Sequence, residues 1–131
     1  MTRHEPLDLL SPSGGVSLTT ADWAKYLRMQ MGEPVNGIRL LSAESLQKLH
    51  TRKPRPITDA SETYRDGFGW RAVETPLGEA LGHEGEVPGF YSRSEIIPSL
   101  GIAVFSAVNQ LNDSAIAANL AVTDALIVQL T

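Results

Sequence analysis

The sequence predicts an α+β fold, an antiparallel sheet of three to four strands with helices packed on it. Three observations carry this. Apolar residues recur at helical spacing before His50 and again after Asn112. Between Phe68 and Val108 the pattern changes to short apolar runs rich in β-branched and aromatic residues, broken by Gly and Pro. No helical stretch separates those runs, and parallel strands would need one.

Taken in order, Pro6, Pro12, Gly14 and Gly15 punctuate an opening loop. Thr19 and Thr20 then precede Ala21, Asp22 and Trp23, a helix start with an acid in its first turn. Trp23, Leu27 and Met31 recur every fourth residue on one face, and Gly32 and Pro34 stop the helix. Asn36-Gly37 reads as a turn into Ile38, Leu40 and Leu41. Ser42 caps a shorter helix carrying Leu46 and Leu49, ended by Pro54 and Pro56. Residues 57 to 66, with Glu62, Arg65 and Asp66, are polar and aperiodic and read as a solvated surface loop.

Phe68, Trp70, Ala72 and Val73 then suggest a strand, with a turn at Gly78. Ala80, Leu81 and Gly82 suggest a short strand entering His83. Phe90–Ile97 and Ile102–Val108 are two further strands whose short link, Pro98-Ser99-Leu100-Gly101, favours an antiparallel hairpin. Asn112 and Asp113 cap a long apolar helix. Its Ile116, Leu120, Thr123 and Ile127 fall on one stripe, widened by Leu126 and Leu130, so a broad buried face is expected. Trp23 and Trp70 read as core or groove-lining residues rather than base-stacking ones.

At 131 residues and 14.2 kDa the chain is the size of a single domain. Eleven Lys and Arg against fifteen Asp and Glu leave a net charge of −4, without the clustered cations a nucleic-acid surface needs. No apolar run approaches the ~20 residues of a membrane-spanning helix. The opening MTRHEPLDLL lacks the apolar core of an export signal, and the compartment stays open. The absence of Cys excludes disulfides, thiolate metal sites and a Cys nucleophile. His4, His50 and His83 are far apart and form no HxH or HExxH spacing, so no metal and no cofactor is expected.

Chemistry is most concentrated in Gly82-His83-Glu84-Gly85-Glu86-Val87-Pro88-Gly89-Phe90. Three glycines and a proline surround a titratable imidazole and two carboxylates, and glycine permits close backbone approach to a ligand. The plain alternative is a glycine-rich hairpin bend with an exposed His. Residue types alone leave both open.

Five motifs in order settle on a resemblance. They are Pro12-Ser13-Gly14-Gly15-Val16-Ser17-Leu18-Thr19-Thr20 with Asp22-Trp23-Ala24-Lys25-Tyr26-Leu27, Asn36-Gly37-Ile38-Arg39-Leu40-Leu41-Ser42, Tyr64 through Gly67-Phe68-Gly69-Trp70, Gly82-His83-Glu84-Gly85 with Pro88-Gly89-Phe90, and Val108-Asn109. Together they resemble the C-terminal half of the serine β-lactamase and penicillin-binding-protein-like family, in its class C-type branch of esterases and D-amino-acid peptidases. The likeness runs from about Leu7 to Leu130.

The resemblance implies that residues 1–131 form one partial domain of that fold, without its N-terminal half. In relatives the strand site of the His motif holds K-T-G and borders the active site. Carried over, His83 faces substrate and the catalytic hydroxyl, and the backbone N–H of Glu86 supplies half of an oxyanion hole. Glu84 and Gly85 line the substrate side. Glu84 departs from the commoner Gly, Ser or Thr there; a carboxylate beside the pocket would disfavour an anionic substrate, or would instead act on the charge of His83.

The family attacks with the Ser of S-x-x-K, aided by its Lys and by the Tyr of Y-x-N or Y-x-S, and both motifs lie upstream of the matched segment. Ser45-Leu46-Gln47-Lys48 is an S-x-x-K string, yet it falls in the helix after Leu40-Leu41-Ser42, where it is expected to be a chance surface spacing. Tyr91-Ser92 is followed by Arg93, and Tyr26 and Tyr64 have the wrong neighbours for the Tyr motif. Two classes of function follow. One is part of a serine hydrolase acting on a small ester or amide, inactive alone and completed by an N-terminal half. The other is a free-standing binding or structural module. The resemblance implies that the strand Ile102–Val108 pairs with strands of the family's N-terminal part; without them it would be an exposed apolar edge, so a homodimer or a complex covering it is expected.

Overall fold

A computed structural model describes residues 14–51 and 68–130. Tyr64, the polar loop 57 to 66 and the opening Pro6 and Pro12 lie outside the described residues.

Gly14, expected in a loop, is helical, and the first helix whose bounds are described, α1, spans Thr20–Gln30. Thr19 is its N-cap, and its hydroxyl accepts the Asp22 backbone N–H at 3.1 Å, satisfying one of the orphan donors of the first turn. It ends where Gly32 adopts φ +81°, a left-handed conformation that costs glycine nothing. Asn36 and Gly37 both take positive φ between the mutually hydrogen-bonded Val35 and Ile38. That is the two-residue turn for which an Asn-Gly pair is suited. The second helix, α2, spans Ala43–His50 with Ser42 as N-cap, and it stops before Pro54 is reached.

Four strands follow: β1 (Arg71–Thr75), β2 (Gly78–Val87), β3 (Phe90–Ile97) and β4 (Ile102–Val108). They form one antiparallel sheet in chain order, β1-β2-β3-β4. Two-residue turns at 76–77 and 88–89 and the four-residue link 98–101 join them. This is the α+β arrangement expected.

Two strand boundaries differ from expectation. Phe68 does not belong to β1, because Gly69 takes φ +82° and turns the chain before Trp70. The short strand expected at Ala80–Gly82 is instead ten residues long and runs through the whole His motif. Its glycines do not bend it. They admit close neighbours: a Cβ on Gly82 would lie 2.7 Å from Val73 Cγ1, and one on Gly85 2.9 Å from the Ser92 hydroxyl.

The third helix, α3, spans Asp113–Gln129, with the Asn112 side chain accepting the Ala115 N–H at 2.9 Å. It lies across β3 and β4. On that face Ile127 packs with Ala80, Ile97, Ile102 and Val104, with Val73 against them. The opposite face carries α1, where Leu27, Trp70 and Ile96 form the core beside Trp23, Tyr26, Leu81, Ala103 and Phe105.

The broad buried face expected of the last helix is narrower than its composition suggested. Thr123 and Ile127 are fully buried and Asn119 joins them, whereas Val122, Leu126 and Leu130 are exposed. A polar anchor sets this rotation: Ser106 on β4 donates to Asn119 Oδ1 at 2.8 Å and shares a hydrogen bond with Thr123 Oγ1. A buried hydroxyl left unpaired is costly, so the helix turns its two hydrogen-bonding side chains inward.

Candidate functional site

The pairing register fixes which way each residue of the His motif points. Val87 and Phe90 close a two-residue turn, so they exchange both backbone hydrogen bonds, and such pairs alternate with open ones along an antiparallel ladder. His83 and Gly85 therefore spend their backbone groups on β3. Glu84 and Glu86 direct theirs to the other side of β2. β1 pairs with β2 only as far as Arg71 opposite Gly82. Among the described residues, no strand covers the N–H groups of Glu84 and Glu86. Before Trp70, Gly69 takes φ +82° and Phe68 donates its backbone N–H to the Leu49 carbonyl at 3.3 Å, so Phe68 is directed to α2.

Side chains alternate in the same way. His83 lies on the α1 face, is exposed, and sits directly across from Ser94. The Ser94 hydroxyl accepts the indole N–H of Trp23 at 2.8 Å. Trp23 in turn packs against Tyr26 and Phe105, with ring centroids 5.1 and 5.5 Å apart. Gly85 follows on that face, then Val87 and Phe90 at the hairpin tip, both exposed. The imidazole thus stands across from the serine that holds the Trp23 indole, on a strand whose far edge no strand covers beyond Gly82 among the described residues.

Glu84 and Glu86 point their side chains to the α3 face. This corrects the expectation that the Glu84 carboxylate bears on His83. Its Oε1 accepts the Tyr91 hydroxyl at 3.0 Å and pairs with Arg93 Nη1. Arg93 also donates from Nε to Glu95. Glu95 is almost wholly buried, and its Oε2 has no hydrogen-bond partner among the described residues. Burial pushes the Glu95 carboxyl above its usual range, against the opposing pull of Arg93. The Tyr91 phenol is likewise pushed up by burial, reinforced by its hydrogen bond to Glu84. The Glu84 charge is paired with Arg93 on the far side of the sheet from His83, so it does not repel an anionic substrate there.

The S-x-x-K string behaves as a helix surface. Ser45 Oγ receives a hydrogen bond from the capping Ser42 at 3.0 Å, and Lys48 Nζ pairs with Glu44 at 2.7 Å in the open. His50 is half-buried, hydrogen-bonded to Gln30 at 3.0 Å and edge-on to Trp70; burial holds its pKa below the usual value. Among the described residues, no group of three His, Cys, Asp or Glu could hold a metal ion, and no helix is long and apolar enough to cross a membrane.

Sequence reasoning missed Ser94, Arg93 and Glu95. The signal was present: a run of Ser-Arg-Ser-Glu inside an interior strand otherwise built of Tyr and Ile marks polar groups that must find partners under cover.

Compared with known proteins, residues 1–127 match a family model described as Beta-lactamase. No curated protein matches the chain.

Proposed function

Because the chain belongs to the β-lactamase family, we propose that it supplies one wall of an acyl-transfer site acting on a small ester or amide. The observation that supports this most directly is the pair of features on β2: the exposed imidazole of His83, and, three residues on, the Glu86 N–H directed to an edge that no strand covers among the described residues. An amide at such an edge can receive the oxygen of a carbonyl as it becomes an oxyanion, and removing a donor of this kind costs roughly 10²–10³ in rate.

In this reading a serine hydroxyl attacks the substrate carbonyl, whose π electrons move onto oxygen and are held by the Glu86 N–H. Collapse of the tetrahedral species expels the alcohol or amine with a proton. Water then releases the acyl group from the serine ester. His83 faces the reacting groups and supplies the polar contact on this wall, and Gly85 leaves room for the substrate beside it. Glu84 anchors β2 to β3 from behind. In this reading Ser45, whose Oγ accepts a hydrogen bond from Ser42 on the surface of α2, is not the attacking hydroxyl, and the isolated chain is expected to be inactive.

The test is hydrolysis of nitrocefin and of a p-nitrophenyl ester by the purified chain, alone and mixed with a family segment bearing S-x-x-K and Y-x-N. Turnover is expected only in the mixture and is expected to fall on His83→Ala. Turnover by the chain alone that Ser45→Ala abolishes would overturn the reading. A second reading, a non-catalytic module that associates through its sheet, is favoured by one observation: β4 is an unpaired edge among the described residues.

A further inference from the structure

The Asn36-Gly37 turn that links α1 to α2 stands apart from the proposed site. Asn36 has φ +52° and Gly37 φ +79°, and positive φ at both central residues makes this a type I′ turn. Val35 and Ile38 close it with two backbone hydrogen bonds, 2.9 and 3.0 Å long. The peptide unit between Asn36 and Gly37 sits at the tip. Neither it nor the Asn36 carboxamide holds a hydrogen bond among the described residues. Both residues are exposed, and a Cβ built on Gly37 meets nothing within 4 Å. That peptide unit is therefore free to rotate in place, from a type I′ to a type II′ turn. Asn36 keeps φ near about +60° while its ψ moves from about +30° to about −120°, and Gly37 passes to a φ of about −80°. Only glycine adopts both signs of φ without penalty. Both Val35–Ile38 hydrogen bonds survive, since either turn closes the same two-residue hairpin. At a ψ of about −120° the Gly37 nitrogen lies on the same side of the Asn36 Cα–C bond as Cβ, within reach of Cγ.

We propose that Asn36 is a self-modification site, at which the Gly37 backbone nitrogen closes a succinimide ring on the Asn36 carboxamide. The nitrogen gives up its proton and bonds to Cγ. The Cγ–Nδ2 bond breaks, its electrons stay on Nδ2, and ammonia leaves carrying one proton more. Water then opens the ring. Attack at Cγ gives aspartate, and attack at the main-chain carbonyl gives isoaspartate, whose main chain runs through Cβ. Aspartate keeps the turn, because Asp-Gly suits type I′ as Asn-Gly does. Isoaspartate adds a main-chain atom to a two-residue turn and so breaks the pairing of Val35 with Ile38. The other three asparagines are held differently. Asn112 accepts the Ala115 N–H at the start of α3, and Asn119 is buried and accepts from Ser106. Asn109 is exposed but precedes Gln110, whose side chain hinders the attacking nitrogen.

The purified 131-residue chain, held at neutral and at alkaline pH and digested in mild acid for peptide mass spectrometry, tests this. Asn36 is expected to gain the mass of an amide-to-acid exchange before Asn109, Asn112 or Asn119 does. The product is expected to be a mixture of aspartate and isoaspartate, formed faster at alkaline pH because the attacking nitrogen must lose its proton. Gly37→Ala is expected to slow conversion severalfold in the folded chain and in urea alike, since the added methyl group hinders attack in either state. An Asn36 that stays intact in the folded chain while converting in urea overturns the proposal, because the turn then holds the two groups apart. So does conversion to aspartate alone, which needs no ring, or an equal rate at all four asparagines, or an unchanged rate in Gly37→Ala. None of these readouts involves turnover, so the catalytic reading stands or falls separately.

Discussion

Trp23 donates its indole N–H to the Ser94 hydroxyl across 71 positions of sequence, and Ser94 is the residue paired with His83 on the neighbouring strand. The first helix is thereby tied to the strand pair that carries the candidate site. Ser94 is 3% exposed. Ser94→Ala is expected to strand the indole donor and to cost about 1–2 kcal/mol, the lower part of the range because Trp23 is only half-buried. Urea unfolding followed by tryptophan fluorescence measures it, and an unchanged midpoint would show that the bond contributes nothing.

Glu95 makes stability depend on pH in an unusual direction. Burial raises its pKa above the usual 4.5, so the folded chain holds its proton to higher pH than the unfolded chain does. Its contribution is therefore full below about 4.5 and declines as pH rises toward the raised folded value. His50 acts oppositely: burial lowers its pKa from 6.5, and its share of stability declines as pH falls below that value. Glu95→Gln, whose amide oxygen still accepts from Arg93, is expected to abolish the loss on the alkaline side of 4.5 and to leave the His50 slope. Melting temperatures of both proteins from pH 4 to 8 decide it.

Gly82 is required by its neighbour rather than by its backbone. A Cβ there would lie 2.7 and 2.9 Å from the two methyl groups of Val73. Gly82→Ala is expected to cost about 1–3 kcal/mol, as overpacking of a filled core does. Adding Val73→Ala should recover part of that loss, and a double-mutant cycle showing no coupling would refute the steric account.

Thr123 is fully buried, donates to the Asn119 carbonyl at 2.9 Å and shares a hydrogen bond with Ser106. Thr123→Val keeps the shape and removes the hydroxyl. A loss of about 1 kcal/mol is expected in urea unfolding, since Ser106 keeps Asn119 as a partner.

The order of elements could be read from spacing alone because local rules govern it: Thr19 and Ser42 cap helices, Asn36-Gly37 turns, and Gly89 after Pro88 closes a hairpin. The family was readable for a different reason, five motifs in one order. What could not be read was the side of the sheet on which each charge lies. Glu84 adjoins His83 in sequence, yet pleating sends its carboxylate to the opposite face, where Arg93 and Tyr91 wait on another strand. Nor could the rotation of the last helix be read, because its apolar residues surround it and the choice falls to Ser106, thirteen positions before Asn119.

Gly69 offers a last consequence. A residue with a side chain at that position would favour extended backbone, and the segment before Trp70 would then zip onto β2. The proposed oxyanion wall therefore sits beside a turn that glycine adopts without strain, outside the wall itself.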